Sequence, residues 1–306
     1  MAFDALQEKI LKMGNPTVFG LDPKPDYVPK AIMDRCVSEY GETAKAVAEA
    51  YYEYNCGLID ALCDICPAVK PQSAYYEVLG ADGVRCFERT VKYAAAKGLY
   101  TIADVKRGDI GTTAEAYSAA YLGKTGVFGE AAPFDFDAVT VNAYLGTDGL
   151  KPFLDTCREQ DKAFFALVKT SNPSSGELQD LLLPDGRRLY EAVGDILVSL
   201  CAGEKDKYGY QRIGAVVGAT YPEELTRLRE RLPGVFFLVP GYGAQGGKAE
   251  DVSRAFDKRG CGAVINSSRA IICAWKKTGN SGADFMEAAR AEAIRMREEL
   301  SRVLGY

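Results

Sequence analysis

Asp104-Val105-Lys106-Arg107-Gly108-Asp109 brings two carboxylates and an ammonium into one short segment. If that segment is a strand, Asp104 and Lys106 lie on the same face, because side chains alternate with period two. Lys70 closes a separate apolar run and carries a second ammonium that can reach the same point. Charges crowded into a low-dielectric place shift one another's pKa, which is how proteins obtain acids and bases that work near neutral pH. The chain has no histidine. That removes Ser-His-Asp and Cys-His nucleophiles, histidine metal ligands and histidine bases together. Proton transfer therefore falls to Lys, Asp, Glu, Tyr or Cys.

A second candidate is Pro240-Gly241-Tyr242-Gly243-Ala244-Gln245-Gly246-Gly247, which matches GxGxxG after an apolar run. A dinucleotide site wants an acid at the end of the next strand, to hold the ribose. The next run instead ends Asn266-Ser267-Ser268-Arg269. The plainer reading is a phosphate nest of backbone N–H groups, with Gln245 as a donor and Arg269 as a fork-shaped cation. Cys63 and Cys66 form a CxxC with neither a second pair nor a histidine, so no metal site is expected. An odd count of nine cysteines in a chain this long reads as buried free thiols in a reducing cytosol.

These residues need a scaffold. Eight short apolar runs alternate with helical patterns: 18–22, 68–72, 100–106, 138–143, 164–170, 213–220, 235–241 and 262–269. They are continuous rather than alternating, as in parallel strands buried on both faces. Amphipathic stretches cover 41–65, 85–97, 188–201, 222–232, 249–256 and 282–304. About eight β/α units in a row imply an α/β fold, a (β/α)₈ TIM barrel, with an open doubly wound sheet as the alternative. No linker divides residues 1–306, so one catalytic domain is expected, with extra helices and a long loop (169–187) after strand 5 that can act as a lid. Barrel active sites lie at the carboxyl ends of the strands. There stand Asp22, Lys70, Asp104 and Lys106, Asn142, Ser171, Gln245 and Arg269.

The formal net charge of −5 does not suit a nucleic-acid or membrane-surface binder. The amino terminus lacks the pattern of a signal peptide, and no apolar stretch approaches the ~20 residues of a membrane span. A cytoplasmic protein is expected.

The segment 104–109 resembles the DxKxxD hallmark of the orotidine 5′-phosphate decarboxylase family. Gly20-Leu21-Asp22-Pro23, Val69-Lys70-Pro71, Lys169-Thr170-Ser171-Asn172-Pro173, the Gln245 turn and Ser268-Arg269 resemble its other landmarks, in the same order. Their form is similar to the longer bacterial branch. The resemblance implies decarboxylation of orotidine 5′-monophosphate to uridine 5′-monophosphate, the last step of de novo UMP synthesis, without cofactor or metal. It implies Lys70, Asp104, Lys106 and Asp109 as the charged tetrad, with Asp109 reaching the partner's site in a homodimer. It further implies Asp22 and, across the dimer, Thr113 at the ribose, Ser171 at the pyrimidine, Gln245 and Arg269 at the phosphate, and Asn142 in support. Two competing readings are a Mg²⁺-dependent sugar-phosphate decarboxylase or aldolase of the same suprafamily, and a non-catalytic UMP-binding protein. Lys70 stands where the first would want a metal-binding acid, and a pure binder has no need of two acids beside an anionic ligand.

Overall fold

Segments such as Phe236-Phe237-Leu238 turn bulky apolar side chains to both faces in succession, and a strand of that kind is stable only when covered on both sides. The structure, a computed structural model, describes residues 2–126, 131–242 and 247–305. Its strands are β1 (Thr17–Leu21), β2 (Ala68–Pro71), β3 (Tyr100–Arg107), β4 (Ala138–Val141), β5 (Ala163–Lys169), β6 (Ile213–Val217), β7 (Phe236–Pro240) and β8 (Ala263–Ser267). Each pairs in parallel with its neighbour in chain order, and β8 returns to β1 through Thr17↔Ile265 and Val18↔Asn266. The result is the closed (β/α)₈ barrel the sequence implies, not the open sheet.

Two packed regions hold it. Outside the barrel, Tyr54, Leu58, Phe87 and Phe153 from the surrounding helices bury against outward residues such as Phe19, Val69 and Val139. Inside, Val18, Ile102, Phe165, Phe236 and Val264 fill the bore, and helix Ala2–Met13 adds Phe3, Leu6 and Ile10. The Phe3 ring stacks on Phe236 at 4.8 Å and tilts against Phe165 at 5.1 Å, a favourable aromatic cluster. This end of the bore is thus solid, and the open end is the carboxyl one.

Helices Ala2–Met13, Lys30–Tyr40, Gly111–Leu122 and Thr147–Gln160 are absent from the pattern-based reading. Gly111–Leu122 shows why: small or apolar residues surround its axis, so no polar stripe marks it, although only Ala114, Ser118, Tyr121 and Leu122 are buried. The loop after β5 is packed down. Lys169, 1% exposed, donates to Asp180 at 2.7 Å and lies over the rings of Tyr190 and Tyr221. Gln179 accepts from Thr170 N–H at 2.9 Å and donates to its hydroxyl at 2.8 Å. All nine cysteines are free, and most are buried. Among the described residues, no helix is long and apolar enough to cross a membrane.

Candidate active site

The carboxyl ends of the strands surround a cavity of about 740 Å³, within the size range of small-molecule sites. Among the described residues, six charged side chains line it: Lys24, Lys70, Lys106 and Arg269 against Asp22 and Asp104. An acidic chain therefore presents a net cationic cavity, suited to a small polyanion.

At its centre Asp104 lies between two ammonium groups. Lys70 donates to Oδ2, and Lys106 donates to Oδ1 at 2.5 Å. The Thr140 hydroxyl adds a hydrogen bond to Oδ1 at 3.1 Å. The Lys70 side chain is only 6% exposed, whereas that of Lys106 is 44% exposed, so Lys106 is the ammonium offered to a ligand. Burial works against the charge on Lys70, but Asp104 and Asp22 outweigh it and raise its pKa above the ordinary lysine value. Burial likewise opposes the Asp104 carboxylate, yet Lys70 and Lys106 hold it well below the usual carboxylate range. Such an arrangement keeps an ammonium charged and oriented inside a cavity. Breaking a buried pair of this kind by removing one partner typically costs about 3–5 kcal/mol.

Strand alternation predicts that Asp104 and Lys106 share a face, but the observed route is different. The β3–β4 register shifts between Ala103 and Arg107, and Lys106 has φ +46°, the left-handed region. A non-glycine residue there stores on the order of 1–3 kcal/mol and persists only when its surroundings hold it. Thr140 supplies the hold: its Oγ1 accepts the N–H of Val105 at 3.0 Å and of Lys106 at 2.9 Å. Sequence reasoning missed Thr140. The available signal was its place two residues before Asn142, facing the bore.

Asp22 directly follows β1 at the cavity wall, and its Oδ1 is buried with no hydrogen-bond partner among the described residues. Burial raises its pKa, with the Lys70 charge pulling the other way. A buried carboxylate oxygen without a partner is expensive unless a ligand supplies a donor. Ser171 and Arg269 also line the cavity. Lys24, which has no role in the sequence reading, lies at its edge over the rings of Tyr27 and Tyr75, at 5.5 and 5.7 Å.

Three expected site residues do not line this cavity. Asp109 is half-buried, and its Oδ1 accepts the neighbouring Ile110 N–H at 2.8 Å. Thr113 is exposed on helix Gly111–Leu122. Asn142 is exposed, and its side-chain oxygen accepts from Tyr144 N–H at 3.0 Å, which shapes the turn after β4 rather than a ligand contact. Gln245 and the rest of 243–246 lie outside the described residues; the turn is entered through Gly241 at φ +104°, a conformation that favours glycine. As for a metal, the Asp104 oxygens are already occupied by Lys70, Lys106 and Thr140.

The profile of the Orotidine 5'-phosphate decarboxylase / HUMPS family matches residues 29–280. An orotidine 5'-phosphate decarboxylase from Rhodopirellula baltica is 44% identical over 299 residues, covering 96% of this chain and 97% of its own. The structure of Leishmania donovani OMP decarboxylase superposes with a TM-score of 0.74 at 32% identity, covering 100% of this chain and 99% of its own. This chain spans 56% of Leishmania donovani UMP synthase, with a TM-score of 0.75 at 34% identity over 99% of this chain. A barrel with these strand-end charges, matched at this identity over nearly its whole length, leads to one assignment: the chain belongs to the Orotidine 5'-phosphate decarboxylase / HUMPS family.

Proposed function

We propose that residues 1–306 act as one catalytic barrel that converts orotidine 5′-monophosphate to uridine 5′-monophosphate and CO₂. The observation that carries this reading is the Lys70–Asp104–Lys106 cluster, with one ammonium open to a net cationic cavity. The substrate carries a carboxylate and a phosphate, and the cavity complements both.

Cleavage of the bond from C6 to its carboxyl group releases CO₂ and leaves an electron pair on C6 in the ring plane. The π system cannot spread that pair, so the barrier must fall by electrostatic preorganisation. Lys106 sits beside C6, stabilises the growing negative charge, and then gives C6 a proton. Water later reprotonates the neutral amine. Asp104 orients Lys106 throughout. Lys70 balances Asp104 and reaches the ribose, Asp22 Oδ1 accepts a ribose hydroxyl, Ser171 meets the pyrimidine edge, and Gln245 and Arg269 hold the phosphate. Phosphate binding is remote from C6, and such energy serves the rate when it stabilises the closed, reacting arrangement.

The reading includes a homodimer. Asp109 and Thr113 lie outside the chain's own cavity, on a face that also exposes Ile110, Tyr144 and Leu145. An apolar face beside two site residues suits a second copy of this chain, which would bring Asp109 of the partner subunit to Lys106. Nine free thiols suit a reducing compartment, and we assign the protein to the cytosol.

The test is loss of orotate absorbance when the nucleotide is added to protein stripped with a chelator. Turnover should be complete without added metal. Turnover that appears only with Mg²⁺ would favour sugar-phosphate-type chemistry, and binding without turnover would leave a UMP-binding protein.

A further inference from the structure

Between Ala103 and Arg107, β3 carries Asp104, Val105 and Lys106, while β4 carries only Thr140 between their partners Val139 and Val141. Three residues thus oppose one, a wide β-bulge. The N–H groups of Val105 and Lys106 turn out of the ladder there. The Thr140 hydroxyl receives both, at 3.0 and 2.9 Å.

A threonine hydroxyl has two lone pairs to receive and one proton to give. The two N–H groups occupy the lone pairs. The proton goes to Asp104 Oδ1 at 3.1 Å, with the Ala103 carbonyl at 3.4 Å as the longer alternative, because a charged oxygen is the stronger acceptor. The same Oδ1 receives the Lys106 ammonium at 2.5 Å. A closed ring results, from the Lys106 N–H to Thr140, from Thr140 to Asp104, and from Lys106 Nζ to that same Asp104 oxygen. Both ends of one lysine are tied through a single hydroxyl, on a residue only 1% exposed.

A lysine has four rotatable side-chain bonds and much freedom to lose. The Lys106 side chain is half-exposed, on left-handed backbone that persists only when held. Valine matches threonine in shape but has neither the lone pairs nor the proton, so it opens the ring and leaves two N–H groups unpaired. We propose that Thr140 is a positioning residue for Lys106: across the bulge it fixes the lysine backbone and, through Asp104, the place of the ammonium. The proposal rests on the reading of Lys106 as the group that serves C6.

Thr140→Val should lower kcat about tenfold or more, since a misplacement of ~1 Å can cost 10²-fold, while the dissociation constant of uridine 5′-monophosphate should change under about threefold. Exchange of that nucleotide's C6 proton for deuterium should slow by a similar factor, because it uses the same ammonium. Thr140→Ser keeps the hydroxyl and should hold kcat within about threefold of wild type. Two unpaired N–H groups can stop Thr140→Val from folding, so Thr140→Cys, whose sulfur pairs only weakly, is measured beside it, with circular dichroism to show a native melting transition. Its kcat should fall below that of Thr140→Ser. A folded valine or cysteine variant with wild-type kcat overturns the proposal, as does a loss confined to nucleotide affinity or a serine variant no better than valine; Lys106 keeps its role in each case. If Lys106→Ala is itself active, the reading of Lys106 fails and takes the proposal with it.

Discussion

Lys106→Ala should abolish turnover while the nucleotide still binds. The ammonium is asked for two things, charge stabilisation at C6 and delivery of the proton. Each is typically worth 10²-fold or more, so the combined loss should be about 10⁴-fold at least, or above ~5 kcal/mol. The fold should survive. The Lys106 side chain is half exposed, the backbone strain at φ +46° is the same for alanine, and Asp104 keeps its pair with Lys70. Steady-state rates with calorimetric binding of uridine 5′-monophosphate separate the two effects. Turnover within about tenfold of wild type, a loss of ~1.4 kcal/mol, would show that Lys106 is not the acid.

Mixing two dead variants should give back activity. In an Asp109→Asn homodimer every site lacks the partner's carboxylate, and in a Lys70→Ala homodimer every site lacks its own lysine. In a mixed dimer, one site takes Lys70 from the first chain and Asp109 from the second, and is whole; the other carries both defects. Random exchange at equal amounts makes half the dimers mixed, so about a quarter of the sites, and of the wild-type rate, should return. Native mass spectrometry establishes that exchange occurred, and circular dichroism that the Lys70→Ala chain is folded, since it loses a buried charge partner. No recovery from exchanged, folded subunits would mean that the site is not shared between chains.

The barrel was legible because parallel strands must be apolar on both faces, and eight such runs stand out in the sequence. Their ends were less so: β4 stops at Val141 and β6 at Val217, short of the apolar runs, because strand ends follow pairing with neighbours and not hydropathy. Lys70, Asp104, Lys106, Asp22, Ser171 and Arg269 were legible as strand-end residues, and all six line one cavity. The means were not. Thr140 holds the Lys106 backbone from a neighbouring strand, and that hold depends on register, which the sequence does not display. Asp109 and Thr113 are beyond a single chain's geometry, because what would complete them is a second subunit.

The proposed chemistry requires C6 to carry a negative charge beside Lys106. By microscopic reversibility, a protein that protonates a C6 carbanion must also remove the C6 proton of its product, slowly and without CO₂. Uridine 5′-monophosphate held with metal-stripped protein in D₂O should therefore gain deuterium at C6, followed by proton NMR, and Lys106→Ala should show no gain above buffer. Equal exchange in both proteins, or none in wild type that is turning over substrate, would contradict the account.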